Sequence, residues 1–248
     1  MDKKVLVISR NAWSNKISTG NTLSNFFANW DKDCLANIYC RAEEIDNDIC
    51  LKYYQITEND LIRSILHKGT IAGNIKQKED TRTKDNKINK KSKKLYGFFR
   101  NKRWTVFLWG RELLWKFGKW KNSSFRLFIK EFDPDIIYMP IYDCFYMHDL
   151  LVYVSKISNA KIVLFTGDDM YSLRQFSVSP LYWINRFILR KKIRKSVELA
   201  DKCYCLSKEQ AEEYEGYFHK EFKLLTKEIK SNNIHFPSQK ENKDIVTM

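Results

Sequence analysis

The apolar positions of this chain fall into two alternating patterns. Short continuous apolar runs recur, and between them lie segments whose apolar residues are spaced by three and four. The first pattern marks a strand buried on both faces, the second an amphipathic helix. Lys4–Ser9 (KVLVIS) opens as a strand, and Asn21–Trp30 follows as a helix with Leu23, Phe26, Phe27 and Trp30 on one face. Leu35–Cys40 and Cys50–Ile56 read as the next two strands. Thr57 is placed to cap a helix over Glu58–Lys68, with Asp60 completing a capping box.

The alternation then breaks. Gly69–Leu95 is polar and rich in Lys and Asn, and reads as a mobile loop. Tyr96–Lys130, dense in aromatic and basic residues, reads as helix. A strand at Asp135–Pro140 restarts the pattern, entered through Phe132, Asp133 and Pro134. A helix at Met147–Ile157 follows, then a strand at Lys161–Thr166 that ends at Gly167, Asp168 and Asp169. Beyond Pro180 come a long helix (Leu181–Leu199), a strand (Lys202–Leu206), a helix (Lys208–Phe218) with Ser207 and Gln210 as its capping box, and a last strand (Phe222–Thr226). The residues after Lys230 lose periodicity and read as a polar tail. Strand-helix alternation of this kind predicts an α/β fold, a parallel sheet with helices on both faces. Such sheets bind ligands at the carboxyl ends of their strands, which directs attention to the loops after Ser9, Pro140, Thr166 and Leu206.

Composition narrows the class. At 248 residues and 44% hydrophobic, the chain can bury a sizeable core and is too apolar for a disordered protein. With 4 Pro and 8 Gly it is neither a fibre repeat nor a low-complexity linker. No run of ~18 uncharged apolar residues provides a spanning helix. The opening MDKKVLVISRNAW lacks the apolar length and small-residue cleavage site of a secretory leader. The six cysteines form no CxxC and have no His at zinc spacing, so they read as buried free thiols in a reducing cytoplasm. Cys203 and Cys205, two apart in a strand, share a face.

Charge changes the picture more. The net charge is +14, but Lys84 to Arg126 holds 14 Lys and Arg against only Asp85 and Glu112, so +12 of it lies in one segment. This is a near-neutral domain with a basic insert. The insert has three readings: a nucleic-acid patch, a membrane-surface helix, or a core helix with a solvated basic face. The membrane reading is favoured over nucleic acid, because FFRNKRWTVFLWGRELLWKFGKWK mixes bulky aromatics with cations on nearly every turn. Its expected membrane contacts are Lys102, Arg103, Trp104, Trp109, Trp115, Lys119 and Trp120. A second basic cluster, Arg186–Lys195, adds Arg190 and Lys191.

At the strand ends the candidate chemistry is sparse. GxGxxG and GxxxxGK[ST] are absent, leaving Gly20 before the first helix as a possible anion-facing turn or a simple loop-to-helix connection. Asp168 and Asp169 could accept sugar hydroxyls, bind a metal or act as a base, or one of them could cap the following turn. Being adjacent, they do not form a DxD metal motif. His148 is the one histidine near a candidate loop, and its position in the helix reads as surface.

Four segments then carry a resemblance: KVLVISRNAW with its loop to Gly20, Asn21 and Thr22; FDPDIIYMPIYD; FTGDDMYSLRQFSVSPLYWINRFILRKKIRKSVELAD; and YCLSKEQAEEY. Over Lys3–Lys227 the chain resembles the N-terminal, acceptor-side domain of bacterial GT-B glycosyltransferases of the family 4 type, which build capsule and O-antigen polysaccharides. The resemblance implies a Rossmann-like domain over residues 1–230, with 69–130 as a basic aromatic helical insert and 231–248 as a tail. It implies that Gly20, Asn21 and Thr22 form the first loop near the donor phosphates, and that Tyr142, Asp143, Asp168, Asp169 and Tyr171 line the acceptor side. It names no catalytic residue. The family's donor-binding domain, with two Glu separated by seven residues, has no counterpart in this sequence. A nucleotide-sugar is therefore expected only in a complete enzyme, with the donor domain on a separate chain as one possibility. The expected partners are an anionic membrane surface on the inner face of the cell membrane and a lipid-linked glycan acceptor. The rival reading is a non-catalytic peripheral membrane or scaffold module.

Overall fold

Strand β1 (Val5–Ser9) is buried along all five residues and lies in the middle of the sheet. This follows from the apolar run Val5–Ile8, while Ser9 satisfies its hydroxyl by donating to the Asn11 carbonyl. The computed structural model describes residues 3–13, 18–43, 45–46, 48–76 and 105–225, with backbone only at 18–21 and 105–107. The other strands are β2 (Leu35–Tyr39), β3 (Lys52–Gln55), β4 (Asn74–Lys76), β5 (Ile136–Pro140), β6 (Lys161–Thr166), β7 (Lys202–Cys205) and β8 (Phe222–Leu224). They form one sheet in the order β4-β3-β2-β1-β5-β6-β7-β8. Every pairing is parallel except β3 with β4. The α/β Rossmann-like class expected from the sequence is thus observed, and the point where strand order reverses falls between β1 and β5.

Seven α-helices are described: α1 (Ser18–Phe26), α2 (Glu58–Leu66), α3 (Thr105–Phe117), α4 (Ser123–Phe132), α5 (Phe145–Ser155), α6 (Pro180–Leu199) and α7 (Lys208–Phe218). Alternate residues of each strand point to opposite faces, so the sheet feeds two cores. Leu6, Ile8, Ile38, Met139, Leu164, Cys203 and Cys205 join one core with residues of α2 to α7. Val5, Val7, Leu35, Tyr39 and Phe165 join the other, with Leu23 of α1, Phe27 just after it and Trp13 of the preceding loop. Helices therefore cover both faces, but unevenly. All six cysteines are free thiols, and Cys203 and Cys205 share a buried face as the period of two requires.

Several local signals work as the sequence predicts. Thr57 accepts from the Asp60 amide while Asp60 accepts from the Thr57 amide, closing the capping box of α2. In FDPDIIY, Asp133 takes the left-handed conformation that ends α4, and the Asp135 carboxylate accepts the Lys4 amide at the start of β1. At α7 only half of the expected box forms. Ser207 accepts from the Gln210 amide, but the Gln210 side chain reaches toward Thr166 at the end of β6.

Three expectations need correction. The expected loop over Gly69–Leu95 contains β4, an antiparallel edge strand; residues 77–104 lie outside the described ones. The expected helix over Tyr96–Lys130 is two helices, broken at Gly118–Asn122. A Cβ on Gly118 would press on the Leu61 side chain and stand 2.8 Å from the Leu114 carbonyl oxygen. Asn122 then caps α4 through the Phe125 amide. Finally, α3, α4 and the connection between them are part of the main core, contributing Trp115, Trp120, Phe125, Phe128, Ile129 and Phe132, so this part of the insert is integral to the fold.

Candidate functional site

The carboxyl ends of β1, β5 and β6 stand side by side in the sheet and carry Arg10, Asp143 and Asp168 respectively. Arg10 directly follows β1. Its Nη1 meets Asp143 Oδ1 at 2.7 Å, and its backbone N–H donates to the Tyr142 hydroxyl at 3.3 Å. The guanidinium lies 6.0 Å from the Tyr142 ring centroid. Arg10 therefore spans the switch point from β1 to β5 while Asp143 stays largely open to solvent. Below this pair the site is closed and structural. Cys40 and Cys144 are buried, and burial pushes the Cys144 thiol up to about 12. Neither is a thiolate near neutral pH, so neither serves as a nucleophile. Glu43 accepts the Ala12 amide at 3.2 Å, and burial raises its carboxyl above the usual range.

At the end of β6 the two aspartates separate in role. Asp168 is exposed, with its backbone carbonyl accepting from the Thr166 hydroxyl at 2.9 Å. Asp169 is a cap. It accepts from the amides of Tyr171 and Ser172, from the Ser172 hydroxyl, and from the Tyr214 hydroxyl at 3.0 Å. Partial burial pushes its carboxyl up, but these donors outweigh it and hold the carboxyl below its ordinary value. Of the two alternatives for the pair, then, Asp169 takes the turn-capping one.

Tyr171 does not line an open surface. It is buried, with Arg190 Cζ 3.9 Å from its ring centroid on α6 and the Phe218 ring 4.4 Å away on α7. Arg186, Arg190 and Arg194, four apart on α6, grip this loop in turn. Arg186 donates to the Ser172 carbonyl, Arg190 to the Tyr171 carbonyl, and Arg194 to the Tyr171 hydroxyl at 2.8 Å.

Gly20, Asn21 and Thr22 also differ from expectation: they lie within α1, not in a loop before it. Helix α1 starts about one turn upstream of the first periodic apolar residue, because Gly and Asn hide its first turn from a reading based on propensity.

His148, expected on a helix surface, is 1% exposed. Its Nε2 lies 3.0 Å from the Tyr142 carbonyl oxygen and its Nδ1 2.8 Å from Ser196 Oγ. Burial pulls it down to about 4, so the ring is neutral near neutral pH. A carbonyl only accepts, so Nε2 carries the proton and Nδ1 accepts from the Ser196 hydroxyl. His148 thereby fixes the backbone of Tyr142 from beneath the site.

Glu112, on α3, was visible in sequence only as one of two acids in a basic segment. Its carboxylate accepts from the amides of Phe145 and Tyr146 at 2.9 and 3.0 Å, the first two residues of α5. It fills the position an anion would take at that helix N-terminus. Burial raises the carboxyl to about 7 despite the two amides.

The expected membrane contacts divide. Trp115 and Trp120 are each 3% exposed, which corrects their assignment. Trp115 stacks on Tyr146 at 4.4 Å, and Trp120 donates its indole N–H to the Trp115 carbonyl at 2.7 Å. Trp115 and Trp120 fill the space between α3, α4 and α5 together with Phe125, Tyr146 and Tyr153. Trp109 is half-buried with its ring edge-on to Phe145, while Lys119 and Lys191 are exposed. Arg190 is tied to Tyr171 as described, and Lys102, Arg103 and Trp104 lie outside the described residues. Lys192 pairs with Asp149, so within Arg186–Lys195 only Lys191 and Lys195 have no side-chain partner among the described residues. No helix among the described residues is long and apolar enough to cross a membrane. No protein-family model matches the sequence, and no curated protein matches it.

Proposed function

We propose that this chain is the acceptor-side domain of a membrane-associated glycosyltransferase. In this reading it presents a lipid-linked polysaccharide intermediate to a nucleotide-sugar held by a donor-binding domain, at the inner face of the cell membrane. The observation that carries the reading is the charged constellation at the switch point. Arg10, Asp143 and Asp168 stand on three adjacent strand ends, and the backbone under Asp143 is fixed by Tyr142 and His148. Carboxylates so placed suit hydroxyl-rich ligands, because each accepts hydrogen bonds from sugar hydroxyls without needing a metal or a nucleophile. A rigid, partly solvated rim is also what an acceptor needs, since a donor domain must close over it.

The test is transfer of radiolabelled sugar onto extracted lipid-linked glycan, by the chain alone and with a supplied donor domain. Transfer that requires the donor domain and falls on Asp168→Asn supports the reading. Absence of transfer in both cases, with vesicle binding retained, favours the second reading, a non-catalytic peripheral membrane module. One observation favours that second reading: Asp169, Tyr171 and His148 are all committed to internal hydrogen bonds.

A further inference from the structure

Loop 171–179 and the first two turns of α6 display apolar side chains outward. Phe176 is 84% exposed and Val178 89%, and Leu173, Leu181, Ile184 and Phe187 are also open to solvent. Exposed apolar side chains gathered on one loop and one helix face mark an interaction surface. Mobility does not explain the exposure, because the loop is held from below. Arg186 and Arg190 grip the Ser172 and Tyr171 carbonyls, Trp183 donates to the Ser177 carbonyl at 2.7 Å, and Ser177 Oγ accepts the Ser179 amide at 3.2 Å. The fold therefore holds apolar groups in water through a scaffold of polar ones.

Charge identifies the occupant. From Leu173 to Lys195 the sequence has seven Lys and Arg and not one acid; Arg174 pairs with Glu213 of α7 and Lys192 with Asp149 of α5, and the other five cations face no acid in an ion pair among the described residues. On α6, Leu181, Ile184 and Phe187 continue at spacings of three and four into Lys191 and Lys195, which are exposed. One helix face is thus apolar for two turns and cationic for the next two. Tyr182 and Trp183, both half-buried, lie in the first turn of α6 with their rings 5.3 Å apart. An apolar end followed by cations along one helix face matches the depth profile of an anionic bilayer surface from acyl chains to headgroups.

We infer that loop 171–179 and the N-terminal half of α6 form the membrane-docking wedge of this protein, inserting Phe176 and Val178 below the headgroups of anionic lipid. The inference rests on the membrane-associated reading above and moves the contact away from Trp115 and Trp120. Co-sedimentation with vesicles of phosphatidylglycerol and phosphatidylcholine in equal parts, against phosphatidylcholine alone, tests it. Phe176→Asp/Val178→Asp should lower partitioning onto the anionic vesicles by about tenfold or more. Phe176→Trp/Val178→Trp should keep or raise it. Both pairs are exposed, so thermal midpoints should match the wild type. Wild-type binding that survives the Asp pair, or is lost only when Lys102 and Arg103 become Ser, overturns the wedge and leaves the membrane reading standing. A wild-type chain that binds neither vesicle removes both. Size-exclusion chromatography adds the remaining outcome: a wild-type dimer that the Asp pair converts to monomer makes the occupant a second copy and overturns the lipid assignment.

Discussion

The ring of His148 and the backbone of Tyr142 are joined by a buried hydrogen bond of 3.0 Å, with the imidazole donating. The ring is neutral in the fold, pulled by burial from 6.5 to about 4. Unfolding therefore takes up a proton wherever the free imidazole is charged. The contribution of His148 is fully present above 6.5 and is lost as pH falls toward 4, by an amount on the order of 3 kcal/mol. Urea unfolding of wild type and His148→Gln across this window measures it. The Gln variant should lack this acid sensitivity.

Glu112 works in the opposite direction. Its carboxyl is raised by burial from 4.5 to about 7, so its contribution is fully present below 4.5 and is lost as pH rises through 7, again on the order of 3 kcal/mol. The two groups oppose each other over an overlapping range, and the wild type should look flat there. Glu112→Gln should expose the slope due to His148, with stability rising with pH where wild type shows little change. A flat profile in the variant would show that the two groups do not offset one another.

Trp115 and Trp120 test the reassignment from membrane to core. Trp115→Ala or Trp120→Ala should cost about 3–5 kcal/mol by chemical unfolding, the usual loss for emptying an aromatic site in a packed interior. A loss under about 1 kcal/mol would return these side chains to the surface.

Asp168 and Asp169 should part company under the same substitution. Asp168→Asn is expected to leave stability within about 0.5 kcal/mol, since the side chain is exposed. Asp169→Asn replaces an acceptor of two amides and two hydroxyls and should cost about 1–3 kcal/mol. In a reconstituted transfer assay the order should reverse for folded protein, with Asp168→Asn the more damaging.

Gly118→Ala places a methyl group against Leu61 and 2.8 Å from the Leu114 carbonyl oxygen. Backbone must move to admit it, and the expected cost is about 1–3 kcal/mol. A neutral result would mean that the junction of α2 and α3 is looser than its geometry.

Which parts of this fold were legible in sequence follows from how local their causes are. Val5–Ser9 and Lys161–Thr166 are continuous apolar runs and announce themselves. Thr57 and Asp60 meet within one turn, so their box is written in four residues. Strand β4 carries a single apolar residue, Ile75, and exists because Tyr53 to Gln55 offer it an edge to pair with. No local pattern encodes such a partner. His148 looked superficial because helix α5 buries nearly its whole circumference, leaving no polar stripe from which a surface position could be judged. At the site, strand ends pointed to Asp143 and Asp168, but the reach of Arg10 to Asp143 crosses more than a hundred residues of sequence. Glu112 likewise carries no local signal, because the helix it caps begins 33 residues further on, at Phe145.

The three arginines on α6 have a kinetic consequence. With Arg186, Arg190 and Arg194 all anchored to Tyr171 and Ser172, the segment after β6 and the helix that follows form one block without a hinge. Whatever meets this side of the molecule finds it already shaped, and loses little conformational freedom of the protein on arrival. Encounter should therefore proceed in a single step at a rate set by diffusion and ionic strength, with no slow rearrangement behind it.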